Sequence, residues 1–272
     1  MKIKNILVPS DFSKAAYNAL KYAIQLSAKI PSRIILLNSY TTPHSSVMID
    51  LTDILKKDST DGLESVKRKI EADFPNALIE IASYNEELNT AVKACIKRKG
   101  IDLVIMGTTG ASGVKETFIG SNTASLIQKI NVPIIAIPED FSLDNNLNIA
   151  VSTDLKNLKN VSLFGTVKEI ARAFNGNFHL INVSEDLSKI DPIDFIDQSA
   201  DLDELFVGFD HTFNFLENSD YESEILDYII SHHIDLLVVI SKKRGFFENL
   251  FHKSISKKLT MHSPIPIIIL SE

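Results

Sequence analysis

Apolar residues along this chain fall into short unbroken runs, separated by stretches in which they recur at helical spacing. The segments Ile3–Pro9, Arg33–Ser39 and Ile101–Met106 are nearly continuous apolar runs, the pattern of strands covered by helices on both sheet faces. After the first run, Ala16, Ala19, Leu20, Ala23, Ile24 and Leu26 return every three or four residues, which predicts a helix from about Ser13. The same reading predicts strands over Ala77–Tyr84 and Val132–Pro138 and helices over Gly62–Asp73, Asn89–Lys99 and Ser121–Ile130, with Gly100 closing the middle helix. Thr41–Thr60 reads as a long polar segment ahead of the helix at Gly62. Strands alternating with helices imply right-handed crossovers and a parallel, doubly wound α/β sheet.

The pattern then recurs. Asn5-Ile6-Leu7-Val8-Pro9-Ser10-Asp11 matches Asn148-Ile149-Ala150-Val151-Ser152-Thr153-Asp154, and Ile34–Asn38 matches Phe178–Asn182. Ile101–Ile105 matches Ile234–Val238, and Val132–Ile137 matches Ile265–Leu270. Four blocks in one order predict two tandem copies of one domain, over residues 1–140 and 146–272. Between them Pro138, Asp140, Asp144, Asn145 and Asn146 break the apolar pattern.

A length of 272 residues suits two such domains. The net charge of −7 argues against a nucleic-acid surface and against a polybasic membrane anchor. Cys95 is the single cysteine, so no internal disulfide or thiolate metal cluster can form, and a reducing compartment is expected. It sits among Ala91, Val92, Ala94 and Ile96 and reads as a buried helical thiol. No run reaches the ~18 apolar residues of a membrane-spanning helix, and the first residues lack a secretory pattern, so a cytoplasmic protein is expected. His232, His233, His252 and His262 lack metal-ligand spacing, and no metal site is predicted.

The candidate chemistry lies at carboxyl ends of strands, where ligands sit in doubly wound sheets. After Ile101–Met106 comes Gly107-Thr108-Thr109-Gly110, and nine residues later Gly120-Ser121-Asn122 opens a helix. Glycines let backbone N–H groups approach a phosphate without a Cβ in the way, and a helix start adds free donors and a positive dipole end. The spacing is neither that of the Gly-Lys-Ser/Thr phosphate loop nor that of the Gly-x-Gly-x-x-Gly fingerprint. Asp11, after the first strand, can accept hydrogen bonds from ribose hydroxyls, or cap the first helix as Ser13 can. Ser39 ends the second strand and could face a base edge. Lys115 reads as a solvated loop charge.

Val8-Pro9-x-Asp11, the Gly-x-x-Gly-x9-Gly-Ser loop and Val132-Pro133-Ile134 together make the chain resemble the universal stress protein family, as two tandem copies covering essentially its whole length. The resemblance implies a Rossmann-like fold of the adenine nucleotide alpha hydrolase type, with five-stranded sheets paired as an internal pseudo-dimer through Val132–Pro138 and Ile265–Leu270. It implies a stress-response regulator that binds ATP, AMP or ADP, the triphosphate with magnesium. The residues it assigns to the nucleotide are Gly107, Gly110, Gly120 and Ser121 for the phosphates, Asp11 for the nucleoside and Ser39 for adenine, with Pro9, Thr108 and Asn122 adjacent. No catalytic residue is assigned: no general base, metal clamp or arginine finger accompanies the loop, so at most slow hydrolysis is expected. Two alternatives stand beside this reading. One is a nucleotide-free dimeric scaffold. The other is an ATP-using hydrolase-type enzyme, for which Thr41–Thr60 would be the substrate-binding insertion. Protein partners are not readable, and further homodimerisation is open.

The second half departs from the motif. At an offset of 133, Gly107 falls on Ile240, Gly110 on Lys243, Gly120 on Lys253 and Ser121 on Ser254. Side chains then stand where close backbone approach is needed, so a single competent site, in the first domain, is expected. Asp201, Asp203 and Glu204 read as a solvated helix start, and Ser184–Asp210 carries no legible motif.

Overall fold

The structure, a computed structural model, describes residues 2–42, 51–108, 121–139, 141, 143, 145–152, 161–186, 200–241 and 263–271. The chain divides into two compact units, one on Ile3–Ser142 and one on Leu143–Glu272. No helix among the described residues is long and apolar enough to cross a membrane.

The first unit runs β1 (Asn5–Pro9), α1 (Lys14–Lys29), β2 (Arg33–Tyr40), α2 (Thr52–Asp73), β3 (Ile79–Asn85), α3 (Leu88–Lys99), β4 (Leu103–Gly107), α4 (Ser121–Lys129) and β5 (Ile134–Ile137). Its strands pair in parallel in the order β3-β2-β1-β4-β5. The chain starts in the middle of the sheet, winds out through β2 and β3, then returns past β1 to β4 and β5. The order therefore reverses between β1 and β4, and a crevice opens at their carboxyl ends.

Local chemistry explains the elements. Ser13 caps α1, its Oγ accepting from the Ala16 N–H at 3.2 Å. Eight residues of α1, from Ala15 to Leu26, are buried against the sheet. Gly100 closes α3 with a left-handed φ of 61°.

The helix expected from Gly62 in fact starts ten residues earlier, at Thr52. Its inward face is Leu55, Ser59, Leu63, Val66 and Ile70, and the buried member Ser59 is a hydroxyl satisfied by Ser83 Oγ of β3 at 2.7 Å. That polar residue breaks the apolar periodicity, and Gly62 mimics a boundary while lying mid-helix. The other expected bounds shift by one or two residues.

The second unit runs β6 (Asn148–Ser152), a 3-10 turn (Val161–Phe164), α5 (Gly165–Ala173), β7 (Asn177–Ser184), β8 (His211–Glu217), α6 (Tyr221–Ser231), β9 (Leu236–Ser241) and β10 (Ile267–Ser271). Its parallel order, β10-β9-β6-β7-β8, is the same winding. The stretch that carried no motif holds a helical segment at 200–205. Leu202, Leu205 and Phe206 from it are buried, and Asp201, Asp203 and Glu204 face out. Phe206 completes an aromatic core, its ring centroid 5.5 Å from Phe164 and 4.6 Å from Phe178.

The repeat extends to a shared joint. In the first unit Asp102 Oδ2 accepts the Lys4 and Asn5 N–H groups at 2.8 and 3.0 Å, and Asn5 Nδ2 donates to Gly100 O. In the second, Asp235 Oδ2 accepts the Asn148 N–H at 2.7 Å, and Asn148 Nδ2 donates to His233 O. His233 takes the place of Gly100, with a φ of 49°. Ile234 N–H reaches Ile229 O and His233 N–H reaches Ile230 O, the paired bonds of a Schellman cap. Both joints lie at the amino ends of the central strands.

Candidate functional site

The carboxyl end of β1 is locked residue by residue. Ser10 N–H donates to Leu37 O at 2.7 Å, and Asn38 Nδ2 donates to Ser10 O at 2.8 Å. Ser10 Oγ accepts the Phe12 N–H and Asp11 Oδ1 accepts the Ser13 N–H, each at 3.1 Å. Asp11 thus does bond toward the helix start, and its residue is exposed at the rim of the crevice. Pro9 is buried at the strand end. Ser39, half-buried, sits on β2 two positions beyond Leu37, the partner of Pro9.

Phe12 adopts a left-handed φ of 66° and is 42% exposed. A phenylalanine in that region costs about 1–3 kcal/mol, so the surrounding contacts must hold it. Its ring lies on Gly62: a Cβ at position 62 would stand 2.7 Å from Phe12 Cζ.

On the other side of the crevice, Gly107 ends β4 and Thr108 is buried, its N–H donating to Ile137 O at 3.0 Å. Gly107 needs no ligand to explain it. A Cβ there would stand 2.8 Å from Ala15 Cβ and 2.9 Å from the Ala15 backbone carbon, so α1 itself demands glycine. Thr123 Oγ1 donates to Gly107 O at 3.2 Å, which fixes the first turn of α4 beside the end of β4. Ser121 and Asn122 open that helix and are exposed. Asn89 Nδ2 donates to Ser125 Oγ and ties α3 to α4. Gly110, Gly120 and Lys115 lie outside the described residues, as do Asp154, Lys243, Lys253 and Ser254.

The structure therefore places Pro9 and Asp11 at the end of one central strand and Gly107 and Thr108 at the end of its neighbour, with Ser121 and Asn122 on a helix bonded to Gly107. Sequence reasoning missed Phe12, Asn38 and Thr123. Asn38 had a signal, a lone amide closing an apolar run. Phe12 had none, because a left-handed backbone at an aromatic residue is invisible in sequence.

In the second unit Ile240 stands on β9 where Gly107 stands on β4, and it is 8% exposed. The four blocks that recur in sequence are thus four of the five strands of each of two like sheets. Among the described residues no group of three or more His, Cys, Asp or Glu could hold a metal ion. Cys95 is buried, and burial pushes its thiol above the usual value.

A parallel, doubly wound sheet, present twice, defines the class, an α/β protein with two like domains. The model of the universal stress protein family matches residues 2–138 and again 146–271. The chain belongs to that family and carries two of its domains in tandem. It is 27% identical over 161 residues to universal stress protein MJ0577 of Methanocaldococcus jannaschii, a match covering 49% of this chain and 94% of that one. It is 24% identical over 143 residues to a second protein of that organism, universal stress protein MJ0531, which covers 49% and 81%. A universal stress protein from Archaeoglobus fulgidus has a similar fold along the whole chain, with a TM-score of 0.73 at 19% identity, covering 100% of this chain and 97% of that one.

Proposed function

We propose that the first domain binds an adenine nucleotide in the crevice between the carboxyl ends of β1 and β4, and that the protein is a nucleotide-responsive stress regulator rather than a fast enzyme. The observation that carries the reading is the Thr123–Gly107 bond, which sets a helix start beside the switch point opposite Asp11. Exposed N–H groups at that start suit phosphate, and the Asp11 carboxylate suits ribose hydroxyls. Ser121 and Asn122, with Gly110 and Gly120, would hold the phosphates of ATP, with ADP or AMP as the other occupants. Ser39 and Pro9 would line the base side. Since no acidic or histidine cluster accompanies the crevice among the described residues, magnesium would arrive with the triphosphate. Of the Thr41–Thr60 stretch that the enzyme alternative invokes, Thr52–Thr60 belongs to the crossover helix α2.

Lys243 in place of Gly110 and Lys253 in place of Gly120 support a single site per chain. The test is a titration of the full chain with labelled ATP, alongside a mass spectrum of ligand that co-purifies with it. One equivalent bound, abolished by Gly110→Lys, is expected. Two equivalents would overturn the single site, and none would overturn the nucleotide reading.

A further inference from the structure

Phe12 stands between two parts of the first domain. Its backbone belongs to the β1 turn, bracketed by Asp11 Oδ1 accepting from Ser13 N–H and by its own N–H donating to Ser10 Oγ. Its ring belongs to α2, seated on Gly62 so closely that a Cβ there would stand 2.7 Å from Cζ and the ring would have to move aside. Neither feature has a use in the other's absence. Glycine weakens a helix interior, and phenylalanine is poorly suited to a left-handed φ. Asp11 is the immediate neighbour, so the torsion at Phe12 sets the turn in which the Asp11 carboxylate sits.

α2 also continues beyond its bond to the sheet. The stretch Thr52–Asp58, ahead of the residue that meets Ser83 near the end of β3, extends the helix about 10 Å further. That extension carries Ile54, 54% exposed, and is preceded by Leu51, 37% exposed. The contact at Gly62 lies one turn from Ser59, so α2 is fixed at two adjacent points, once to β3 and once to the Asp11 turn.

We propose that Phe12 is a positioning residue for the nucleotide: its ring, latched on Gly62, fixes both the Asp11 turn and the overhanging part of α2 as walls of one crevice. The inference rests on the nucleotide reading above. Strain held by a neighbouring contact is a means of preorganisation, and here it makes ligand affinity depend on a pair whose role is to hold the turn.

The experiment is ATP binding by titration calorimetry on the full chain, for wild type, Phe12→Gly, Gly62→Ala and the double variant, with thermal midpoints measured in parallel. Glycine at position 12 accepts the φ of 66°, so Phe12→Gly keeps its fold and midpoint while it loses the ring. Each single variant is expected to weaken ATP about tenfold, the scale of coupling between residues in contact, and the double variant about tenfold again rather than a hundredfold. A methyl added at position 62 costs nothing once the ring is gone. Unchanged affinity in Phe12→Gly, or additive losses in the double variant, overturns the latch. Affinity that falls only in step with the midpoint also overturns it. Absence of ATP binding by the wild-type chain overturns the site reading and the latch with it.

Discussion

Gly107 and Ala15 meet so closely that a Cβ on Gly107 would stand 2.8 Å from Ala15 Cβ. The last residue of β4 and the first turn of α1 are therefore in direct backbone contact beneath the crevice. Gly107→Ala is expected to destabilise the first domain by about 1–3 kcal/mol, the cost of overpacking a filled interior. Urea unfolding measured without nucleotide checks this. An unchanged midpoint would mean that the glycine serves the ligand alone.

His233 holds a left-handed φ of 49° in a helix cap where its counterpart, Gly100, is glycine. Its side chain is exposed, so little is lost by removing it. His233→Gly is expected to raise the stability of the second domain by about 1 kcal/mol, the usual penalty of that conformation for a residue with a Cβ. The measurement is the free energy of unfolding followed by a probe in that domain.

Asp102 takes the backbone N–H groups of Lys4 and Asn5, and Asp235 takes that of Asn148. Hydrogen bonds to a charged acceptor contribute about 1.5–3 kcal/mol. Asp102→Ala and Asp235→Ala should therefore each cost about 2 kcal/mol. An unchanged unfolding curve for either variant would contradict this.

Two histidines of the second domain titrate in opposite senses. Burial pulls the His179 imidazole below its usual value, helped by the nearby His232. Its contribution is present above the unfolded value of about 6.5 and is lost as pH falls through the folded one. At His211 burial also pulls down, but the bonds to Phe209 O and to Asp203 Oδ1, at 3.0 and 2.8 Å, outweigh it and hold the group above its usual value. That contribution is complete below about pH 6.5 and is lost as pH rises through the folded value. His211→Gln should therefore lower stability at about pH 6 more than at about pH 8.5, and His179→Gln should extend stability toward acid. Unfolding midpoints across about pH 5 to 9 would show the two trends, and parallel curves for the variants and wild type would refute them.

The winding of both domains was legible because the central strands are covered on both faces, and burial leaves an apolar run that nothing else imitates. The duplication followed from those same runs. What escaped was wherever one residue served two masters. Ser59 is polar yet buried, because Ser83 satisfies it, and so α2 was cut short. Gly62 looked like a boundary because glycine usually is one, whereas here an aromatic ring occupies the missing side chain's place. In the candidate site, Asp11 and the strand-end glycine were singled out from their expected position at carboxyl ends of strands. The finding that Gly107 answers to Ala15 needed coordinates, since sequence cannot tell a close approach by a ligand from one by a helix.

The joints at Asp102 and Asp235 sit on the rim of each sheet opposite the crevice. The joint at Asp102 and the candidate site thus lie at opposite edges of the first sheet. A copy made by duplication can rewrite one edge, from Gly110 to Lys243, while the other keeps its aspartate and asparagine and exchanges Gly100 for His233. Such a module is evolvable in a particular way: its function can be redrawn without renegotiating its fold.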